Sequence, residues 1–280
     1  EKCNEFLLSL NLIDCKDARE YLKQIYTISN QVEKNYKIYK RRMKNGKRRT
    51  LYEPNSPLKK IQKRILSNIL EERSISPYVK AYHKGIGLKE NALPHVNQKI
   101  ILKLDIQNFF ENIKFKQVYK SCFSIEYFPK SIGVLLATLC TYEDYLPQGT
   151  PTASYISNLV MKPFDEAIGS FCEKRAIQYT RYSDDMTFSG DFDPKEVIQK
   201  VKKELFLFGL NLNPNKIHVI QKNARQIVTG IVVNQKAQVS LRKRKQLRQE
   251  IYYIKKYGIM SHLKNQKKEI SPIDYLNQLY

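Results

Sequence analysis

Two apolar segments of this 280-residue chain carry aspartates, and this combination restricts the fold more than any other feature. Residues 99–106 are predicted to form a buried strand that ends in the Asp105 carboxylate. Residues 177–189 are predicted to form a β-hairpin with Asp184 and Asp185 at its tip. Buried carboxylates cost free energy unless a cation or hydrogen bonds compensate them. The ordinary alternative is that they are turn or cap residues, positions that Asp favours.

The charge of the chain indicates a polyanionic partner. The sequence has 49 Lys and Arg residues against 27 Asp and Glu residues, which gives a net charge of +22. Self-repulsion on this scale destabilises a compact protein unless a polyanion neutralises it. Because 42% of the residues are hydrophobic, the chain is expected to fold rather than to be disordered. A globular protein that binds nucleic acid is therefore predicted.

The sequence argues against secreted, membrane-spanning and disulfide-stabilised proteins. Its apolar runs are short, such as residues 134–137, and its N-terminus lacks the features of a signal peptide. Five cysteines without a C-x-x-C pair disfavour both a disulfide framework and a zinc site. We therefore expect a cytoplasmic protein without a membrane partner.

Helical patterns alternate with the strands, so the predicted fold class is α+β. Residues 1–39 have an amphipathic helical pattern, and Ser56 before a proline is the predicted N-cap of another helix. A long helix over residues 152–175 is expected to be interrupted by Pro163. A capping box at Asp193 is predicted to open a further helix.

Two basic stretches stand out along the chain. Seven of the ten residues at positions 40–49 are Lys or Arg, and Asn45 and Gly46 among them are a strong hairpin signal. Residues 242–256 mix basic residues with tyrosines. This second stretch is either a solvated helix face or a helix that lies along nucleic acid, with cations on phosphates and rings on unpaired bases.

Four motifs in a fixed order resemble those of reverse transcriptases. Residues 182–185 (YSDD) have the Y-x-D-D form and are preceded by residues 105–110 (DIQNFF) and 146–151 (LPQGTP). Residues 213–216 (NPNK) follow. The resemblance extends from about residue 40 to about residue 240, and it implies a right-hand polymerase fold with fingers, palm and a short thumb.

The resemblance also implies the metal site and its chemistry. Nucleotide addition uses two Mg²⁺ ions about 3.5–4 Å apart, and Mg²⁺ prefers carboxylate and phosphate oxygens. The implied metal ligands are Asp105, Asp184, Asp185 and the Ile106 carbonyl. Lys216 completes the implied catalytic set as a proton donor or charge stabiliser beside the leaving pyrophosphate. An ordinary surface lysine fits the sequence equally well.

Four further residues are implied to bind the deoxynucleoside triphosphate. Phe110 would lie under the sugar and exclude a 2′-hydroxyl, although ordinary core packing is its alternative. Arg49, or the neighbouring Lys47, would bind the triphosphate. Gln148 and Gly149 would shape the pocket, since glycine permits close approach of the backbone.

Two shorter elements resemble those of bacterial retron reverse transcriptases. Residues 91–95 (NALPH) match N-A-x-x-H, and residues 228–230 (VTG) match V-T-G. A plain loop, a structural histidine and a strand bulge are the alternatives. The resemblance implies a set of RNA-binding residues: Asn91, His95, Val228, Thr229, Gly230, Arg242 and Arg244.

The retron resemblance further implies partners and a product. Such an enzyme binds its own structured non-coding RNA, primes from a guanosine 2′-hydroxyl and copies part of the RNA into single-stranded DNA. The product is a branched RNA–DNA molecule, and the implied role is antiphage defence with an accessory effector protein encoded nearby.

The implied domains are N-terminal helices and fingers (1–98), palm (99–234, with finger elements around 115–150) and thumb (235–280). The chain begins at Glu1 rather than Met and ends within an amphipathic stretch, so we expect trimmed or disordered ends and an incomplete thumb. Another bacterial reverse transcriptase, of the group II intron or defence-associated kind, is the nearest alternative. A non-catalytic nucleic-acid-binding scaffold is the alternative from another class, and three costly carboxylates together argue against it.

Overall fold

The protein has the α+β composition that the sequence predicts. The computed structural model describes residues 2–42, 46, 48–82, 85–266 and 270–279. Of the predicted hairpin residues, Asn45 and Lys47 lie outside this described part. The main hydrophobic core joins the N-terminal helices to a central sheet and to the helices that pack on it.

The N-terminal part consists of helices followed by a basic hairpin. Its elements are α1 (Lys2–Ser9), α2 (Ala18–Asn30), β1 (Tyr36–Arg42), β2 (Arg48–Pro54) and α3 (Ser56–Ile65). The predicted helical pattern over residues 1–39 is therefore wrong beyond residue 35, because β1 pairs antiparallel with β2 from Tyr36 onward. Gly46, in the segment that joins the two strands, has a φ of +79°, a left-handed conformation that glycine adopts without strain.

The first residues of α3 differ from the predicted start by one position. Asn55, not Ser56, is the N-cap, and its Oδ1 accepts a hydrogen bond of 3.1 Å from the Leu58 N–H. Ser56 is the first helical residue and Pro57 follows it. The amide of Asn caps a helix as well as a Ser hydroxyl does, so the correction leaves the helix itself in place.

A four-stranded antiparallel sheet lies at the centre of the fold, in the order β4-β5-β3-β6. Its strands are β3 (Ile100–Asp105), β4 (Gln178–Tyr182), β5 (Asp185–Gly190) and β6 (His218–Gln221). The predicted strand and hairpin are thus both confirmed. The register pairs Asp105 with Asp185, so the carboxylates of the two segments meet at one end of the sheet.

Helices precede and connect these strands. They are α4 (Leu88–Ala92), α5 (Phe109–Asn112), α6 (Phe115–Cys122), α7 (Lys130–Cys140), α8 (Ala153–Glu173) and α9 (Pro194–Leu207). Of these, α4 and α8 contact β4 directly. The predicted interruption of α8 is wrong, since the helix continues through Pro163. Proline inside a helix costs about 3 kcal/mol. Burial of Val160 and Phe164 on the two sides of Pro163 offsets that cost.

The predicted capping box of α9 forms only in part. Asp193 is the N-cap, and its carboxylate accepts a 2.9 Å hydrogen bond from the Lys195 N–H. Glu196, the expected second half of the box, instead forms an ion pair of 2.9 Å with Arg175. The longer-range charge pair competes with the local cap, which a sequence pattern cannot reveal.

The C-terminal part contains a small antiparallel sheet and three helices. These elements are β7 (Ile227–Val228), β8 (Ile231–Val232), β9 (Gln238–Val239), α10 (Leu241–Tyr257), α11 (Ile259–Asn265) and α12 (Pro272–Leu279). Helix α10, which is described throughout, contains no buried residue. Among the described residues, no helix combines the length and apolarity needed to cross a bilayer.

Candidate active site

Three aspartates meet where β3 ends and β5 begins. Asp105 is the last residue of β3 and is paired with Asp185, the first residue of β5. Asp184 lies in the turn between β4 and β5, and its carbonyl accepts a 3.0 Å hydrogen bond from the Ile106 N–H. Asp105 is only 3% exposed, whereas Asp184 is partly buried and Asp185 is exposed. The two aspartate-bearing segments therefore form one acidic site.

Asp105 is held by residues of the 213–216 motif. The Lys216 ammonium forms an ion pair with Asp105 Oδ2. Asn213 binds the same residue twice, through its side-chain amide to Oδ1 at 3.3 Å and through its backbone N–H to the Asp105 carbonyl at 2.8 Å. The structure thus places Lys216 beside Asp105 and adds Asn213 to the site.

The electrostatics of the site favour a bound cation. Asp185 as a residue is exposed, but neighbouring protein atoms displace part of the water around its carboxyl group and raise its pKa to about 6. The negative charges of Asp184 and Asp105 add to this effect. Burial lowers the pKa of Lys216, but its hydrogen bond to Asp105 and the three carboxylate charges raise the pKa overall. A positive charge placed among these carboxylates would relieve their mutual repulsion.

The donor set fits magnesium in its chemistry, although it is not preformed as a cage. In the described part of the chain, no three His, Cys, Asp or Glu side chains are already arranged to hold a metal ion. Here Lys216 and Asn213 engage the Asp105 carboxylate. Carboxylate oxygens without nearby Cys or His are the hard ligands that Mg²⁺ accepts, with substrate phosphates completing its coordination.

Two of the predicted nucleotide-binding segments, strand β2 and residues 148–149, are in contact with each other. The Tyr52 N–H of β2 donates a 2.9 Å hydrogen bond to the Gln148 carbonyl. Gly149 has a φ of +105°, and a Cβ there would lie 3.3 Å from the Tyr52 carbonyl oxygen. Glycine is thus required both by the backbone conformation and by the close approach of β2. Arg49 is exposed on the same strand, opposite Arg41.

Phe110 lies in α5, immediately after the turn that follows β3. It is 7% exposed, and its ring lies edge-on to Phe109 with centroids 5.3 Å apart. Phe110 is therefore a mostly buried residue that reaches the surface, a position compatible both with core packing and with a wall beneath the sugar.

Comparison with known proteins identifies the chain. A family model described as reverse transcriptase (RNA-dependent DNA polymerase) matches residues 32–267. The retron Ec86 reverse transcriptase of Escherichia coli is 32% identical over 228 residues, which cover 78% of this chain and 70% of the relative. The chain belongs to the retron reverse transcriptases.

Two further relatives support this membership. The retron Ec83 reverse transcriptase of Escherichia coli is 32% identical over 249 residues, covering 82% of this chain and 78% of the relative. The retron Mx65 reverse transcriptase of Myxococcus xanthus is 28% identical over 228 residues, covering 73% of this chain and 52% of the relative. The predicted family and the predicted activity, RNA-directed DNA polymerase, are thereby confirmed.

The two retron-like elements of this reverse transcriptase contact each other. Thr229 and Gly230 have φ values of +44° and +87° and form the two-residue turn between β7 and β8, rather than a bulge. The Asn91 side-chain amide donates a 3.2 Å hydrogen bond to Thr229 Oγ1. Val228 is buried in a small cluster with Ala92 of the first element. Residues 138 positions apart thus form one unit.

His95 has a structural environment that the sequence does not reveal. The residue is not in a loop but at the end of a short 3₁₀-helix, and it is fully buried. Its Nδ1 and Nε2 lie 2.7 Å from Ser189 Oγ and 2.8 Å from Thr180 Oγ1. Burial lowers the His95 pKa to about 3, so the ring is neutral. The prediction that His95 contacts RNA is contradicted, because neither ring nitrogen is available.

The remaining predicted RNA-binding residues lie on α10. Arg242 and Arg244 are exposed near its N-terminus, and Tyr252 and Tyr253 are exposed further along. The Lys256 ammonium lies 5.6 Å from the Tyr252 ring centroid. The helix of this reverse transcriptase therefore presents both cations and aromatic rings to solvent, the pair of groups that nucleic-acid surfaces use.

A buried ion pair supports the turn at Ser183 and Asp184, and sequence reasoning missed it. Arg181 and Asp165 have fully buried side chains and form two hydrogen bonds, Nε to Oδ1 at 2.8 Å and Nη2 to Oδ2 at 2.6 Å. Arg181 Nη1 also donates to the Ser183 carbonyl at 2.9 Å. The sequence signal that could have indicated this ion pair is an arginine within an apolar predicted strand, because a buried charge requires a partner of opposite charge.

Proposed function

We propose that this reverse transcriptase copies part of its own structured non-coding RNA into single-stranded DNA and leaves a branched RNA–DNA product. The observation that carries the catalytic half is the meeting of Asp105, Asp184 and Asp185 at one end of the sheet. Family membership and the net charge of +22 support a nucleic-acid substrate.

The architecture is proposed to be that of a right hand. The four-stranded sheet with its flanking helices, within residues 99–234, would be the palm. The β1-β2 hairpin and the neighbouring helices, within residues 1–98, would be the fingers, together with elements around 115–150. Helices α10 to α12, within residues 235–280, would form the thumb that lies along the template–primer duplex.

The chemistry proposed for the site is addition of deoxynucleotides to a primer hydroxyl. Asp105, Asp184 and Asp185, with the Ile106 carbonyl, would hold two Mg²⁺ ions. Such ions lower the pKa of the attacking hydroxyl and neutralise phosphate charge. The primer oxygen forms a bond to the α-phosphorus while the bond to pyrophosphate breaks. Lys216 would donate a proton or stabilise charge on that leaving group.

The nucleotide would be selected by residues around this site. The exposed guanidinium of Arg49 suits bidentate contact with the triphosphate, and the same strand, β2, contacts Gln148 and Gly149 through Tyr52. Phe110 would exclude nucleotides that carry a 2′-hydroxyl. These four roles are proposals that follow from the family motifs and from the positions described above.

Recognition of the enzyme's own RNA is proposed to involve α10 and the turn at Thr229 and Gly230. Asn91 and Val228, which are 1% and 0% exposed, would hold this turn in place rather than contact RNA themselves. The turn at Thr229 and Gly230 is partly exposed, and polar groups on a turn suit contacts to unpaired bases and 2′-hydroxyls. Arg242 and Arg244 would bind phosphates. A role in antiphage defence with an accessory effector protein completes the proposal and rests on family membership alone.

The test is to purify the full chain from its host and sequence the nucleic acid that accompanies it. Wild-type protein is expected to carry a branched RNA–DNA molecule. The Asp184→Asn variant, which keeps the shape of the side chain but removes its charge, is expected to carry the RNA alone. Wild-type protein without DNA, or DNA on the variant, would contradict the proposed chemistry.

A second test separates recognition of the enzyme's own RNA from catalysis. Asn91→Ala and Thr229→Ala are expected to reduce copying of the native RNA while extension of a generic annealed primer–template continues. If both activities and the thermal stability fall together, the unit only braces the fold and the proposed recognition is wrong.

A further inference from the structure

A large groove shares no lining residue with the aspartate site. It has a volume of about 1070 Å³ and is bordered by α6, α8 and the C-terminal end of α9. Its apolar lining residues are Leu159, Val160, Pro163, Leu207 and Phe208. A cavity of this size slightly exceeds the range of about 300–1,000 Å³ that is typical of ligand-binding clefts. The groove is therefore large enough to receive several side chains.

The charged residues of the groove all have the same sign. Those that line it are Arg73, Lys114, Lys116, Lys120 and Lys162, and none of the described lining residues is acidic. Two of these cations are fixed by the protein itself. Arg73 donates a 2.8 Å hydrogen bond to the Cys122 carbonyl, and the Lys162 ammonium binds Ser74 Oγ at 2.9 Å. The groove thus has a positive rim that is partly preorganised.

Lys116 and Lys120 are the cations most available to a partner. They lie one helical turn apart on α6 and are both exposed, so their side chains share a face of the helix. In the described part of the chain, neither lysine forms an ion pair with a carboxylate. The two ammonium groups present an unneutralised patch beside an apolar trough.

The apolar content of the groove favours a protein partner over RNA. Leu207 is 71% exposed and Pro163 is also exposed, so these two residues offer aliphatic surface that phosphates cannot use, above a floor formed by the buried Leu159 and Val160. RNA recognition by stacking needs free aromatic faces. The rings available here are already engaged, since Arg73 lies 4.0 Å from the Tyr127 centroid and Phe208 packs edge-on against Phe164.

A backbone acceptor adds to these features. Pro163 has no N–H, so the Leu159 carbonyl, four residues earlier in α8, lacks its usual intrahelical donor. Both residues line the groove. A hydrogen-bond donor on the occupant would satisfy this carbonyl, which gives the apolar trough a point of polar specificity.

We propose that this groove binds a segment of a partner protein in which large apolar side chains are flanked by Asp or Glu. The apolar side chains fill the trough between α6 and α8, and the carboxylates pair with Lys116 and Lys120. The interaction is independent of the polymerase chemistry and does not require the aspartate site.

The test selects peptides for binding to the full-length chain from a displayed library of random peptides. Enriched peptides are expected to combine acidic residues with Leu, Phe or Trp. Two variants, Lys116→Glu/Lys120→Glu and, separately, Leu207→Ser, are expected to bind the synthesised peptides about tenfold or more weakly than the wild-type chain does. Extension of a generic primer–template should be unchanged in both variants.

Two matched controls locate the interaction. Lys202→Glu/Lys203→Glu makes the same change of net charge at exposed positions of α9 that do not line the groove. Phe206→Ser removes a side chain that is 78% exposed, adjacent to Leu207, and outside the lining. Both controls should retain peptide binding at the wild-type level.

Several outcomes would overturn the proposal. Enrichment of peptides without the acidic and apolar pattern would do so, as would equal binding to the groove variants and the controls. Loss of RNA binding or of primer extension in Lys116→Glu/Lys120→Glu would assign the groove to nucleic acid. Self-association of the wild-type chain that the same variant abolishes would assign it to a second copy.

Discussion

The Arg181 guanidinium connects the buried Asp165 carboxylate to the Ser183 carbonyl, in the turn between β4 and β5. It is held by Asp165 through two hydrogen bonds and donates a third, of 2.9 Å, to the Ser183 carbonyl. Ser183 has a φ of +60°, a conformation that non-glycine residues rarely adopt. Because Asp184 follows directly, the buried ion pair fixes the residue that presents the aspartate pair.

This relationship predicts that Arg181→Lys impairs the proposed magnesium site more than the fold. Lysine keeps the buried charge but cannot make the planar, bidentate contact with Asp165 while also reaching Ser183. The Mg²⁺ concentration for half-maximal DNA synthesis is expected to rise and the maximal rate to fall. Both are measured by primer extension over a magnesium titration.

A matched control is a core variant far from the turn, Ile25→Val in α2, which is expected to lose about 1 kcal/mol of stability. This variant should leave the Mg²⁺ concentration for half-maximal DNA synthesis unchanged. An unchanged midpoint in Arg181→Lys as well would limit Arg181 to a structural role.

Phe110→Ala is expected to weaken the preference for deoxynucleotides. Removal of the ring opens space for a 2′-hydroxyl, and pocket differences of this kind are worth about 1–3 kcal/mol. The measurement is the ratio of kcat/KM for a deoxynucleotide to that for the matching ribonucleotide. Phe109→Ala, at the neighbouring ring, is the control and should keep the ratio. If the ratio is the same in Phe110→Ala and wild type, Phe110 belongs to the core.

His95 predicts a specific loss of stability in acid. Its pKa is about 3 in the folded protein, against an ordinary value of 6.5. The unfolded chain therefore binds a proton that the folded chain excludes, and the free energy of unfolding falls as the pH decreases from 6.5 toward 3. One proton corresponds to a slope of at most about 1.4 kcal/mol per pH unit.

Denaturant titrations at several pH values measure this slope. His95→Gln should flatten it over that window, since glutamine does not titrate. His218→Gln, at an exposed histidine, should retain the wild-type slope. The same slope in His95→Gln and wild type would show that other groups cause the acid sensitivity.

RNA binding is expected to weaken strongly with salt. Each phosphate contact contributes a slope of about −0.7 to the logarithmic dependence of the binding constant on salt for single strands. Arg242→Ala/Arg244→Ala should therefore reduce the slope by up to about 1.4. The control, Lys202→Ala/Lys203→Ala, removes the same charge from α9. If the two double variants reduce the salt dependence equally, Arg242 and Arg244 of α10 do not contact RNA more than other surface cations do.

Sequence reasoning located the aspartates because local patterns encode their setting. The apolar run of β3 and the hairpin of β4 and β5 have strand signals of their own, and the acidic residues lie at their ends. The Asn-Pro-Asn-Lys motif pointed to Lys216 by family resemblance. The ion pair of Lys216 with Asp105 itself depends on the docking of two distant segments.

The parts that the sequence did not reveal depend on long-range partners. Asp165 looks like an ordinary acidic residue of a long helix until Arg181 is placed beside it. His95 lies within a motif that suggested recognition, yet two hydroxyl groups from the sheet bind its ring. Which polar groups become buried is decided by tertiary packing rather than by local pattern.

Helix α10 has 17 residues, all described and none of them buried. Helices of about this length depend on tertiary packing, and the contacts of α10 with the following helices include the Tyr253 ring against His262 and the hydrogen bond from Tyr275 to Glu250. Repulsion among its like charges weakens the helix further. Without RNA, its amides should exchange with deuterium far faster than those of the central sheet. If RNA covers this helix as proposed, binding should slow that exchange, so the order of α10 becomes a measure of whether the template is bound.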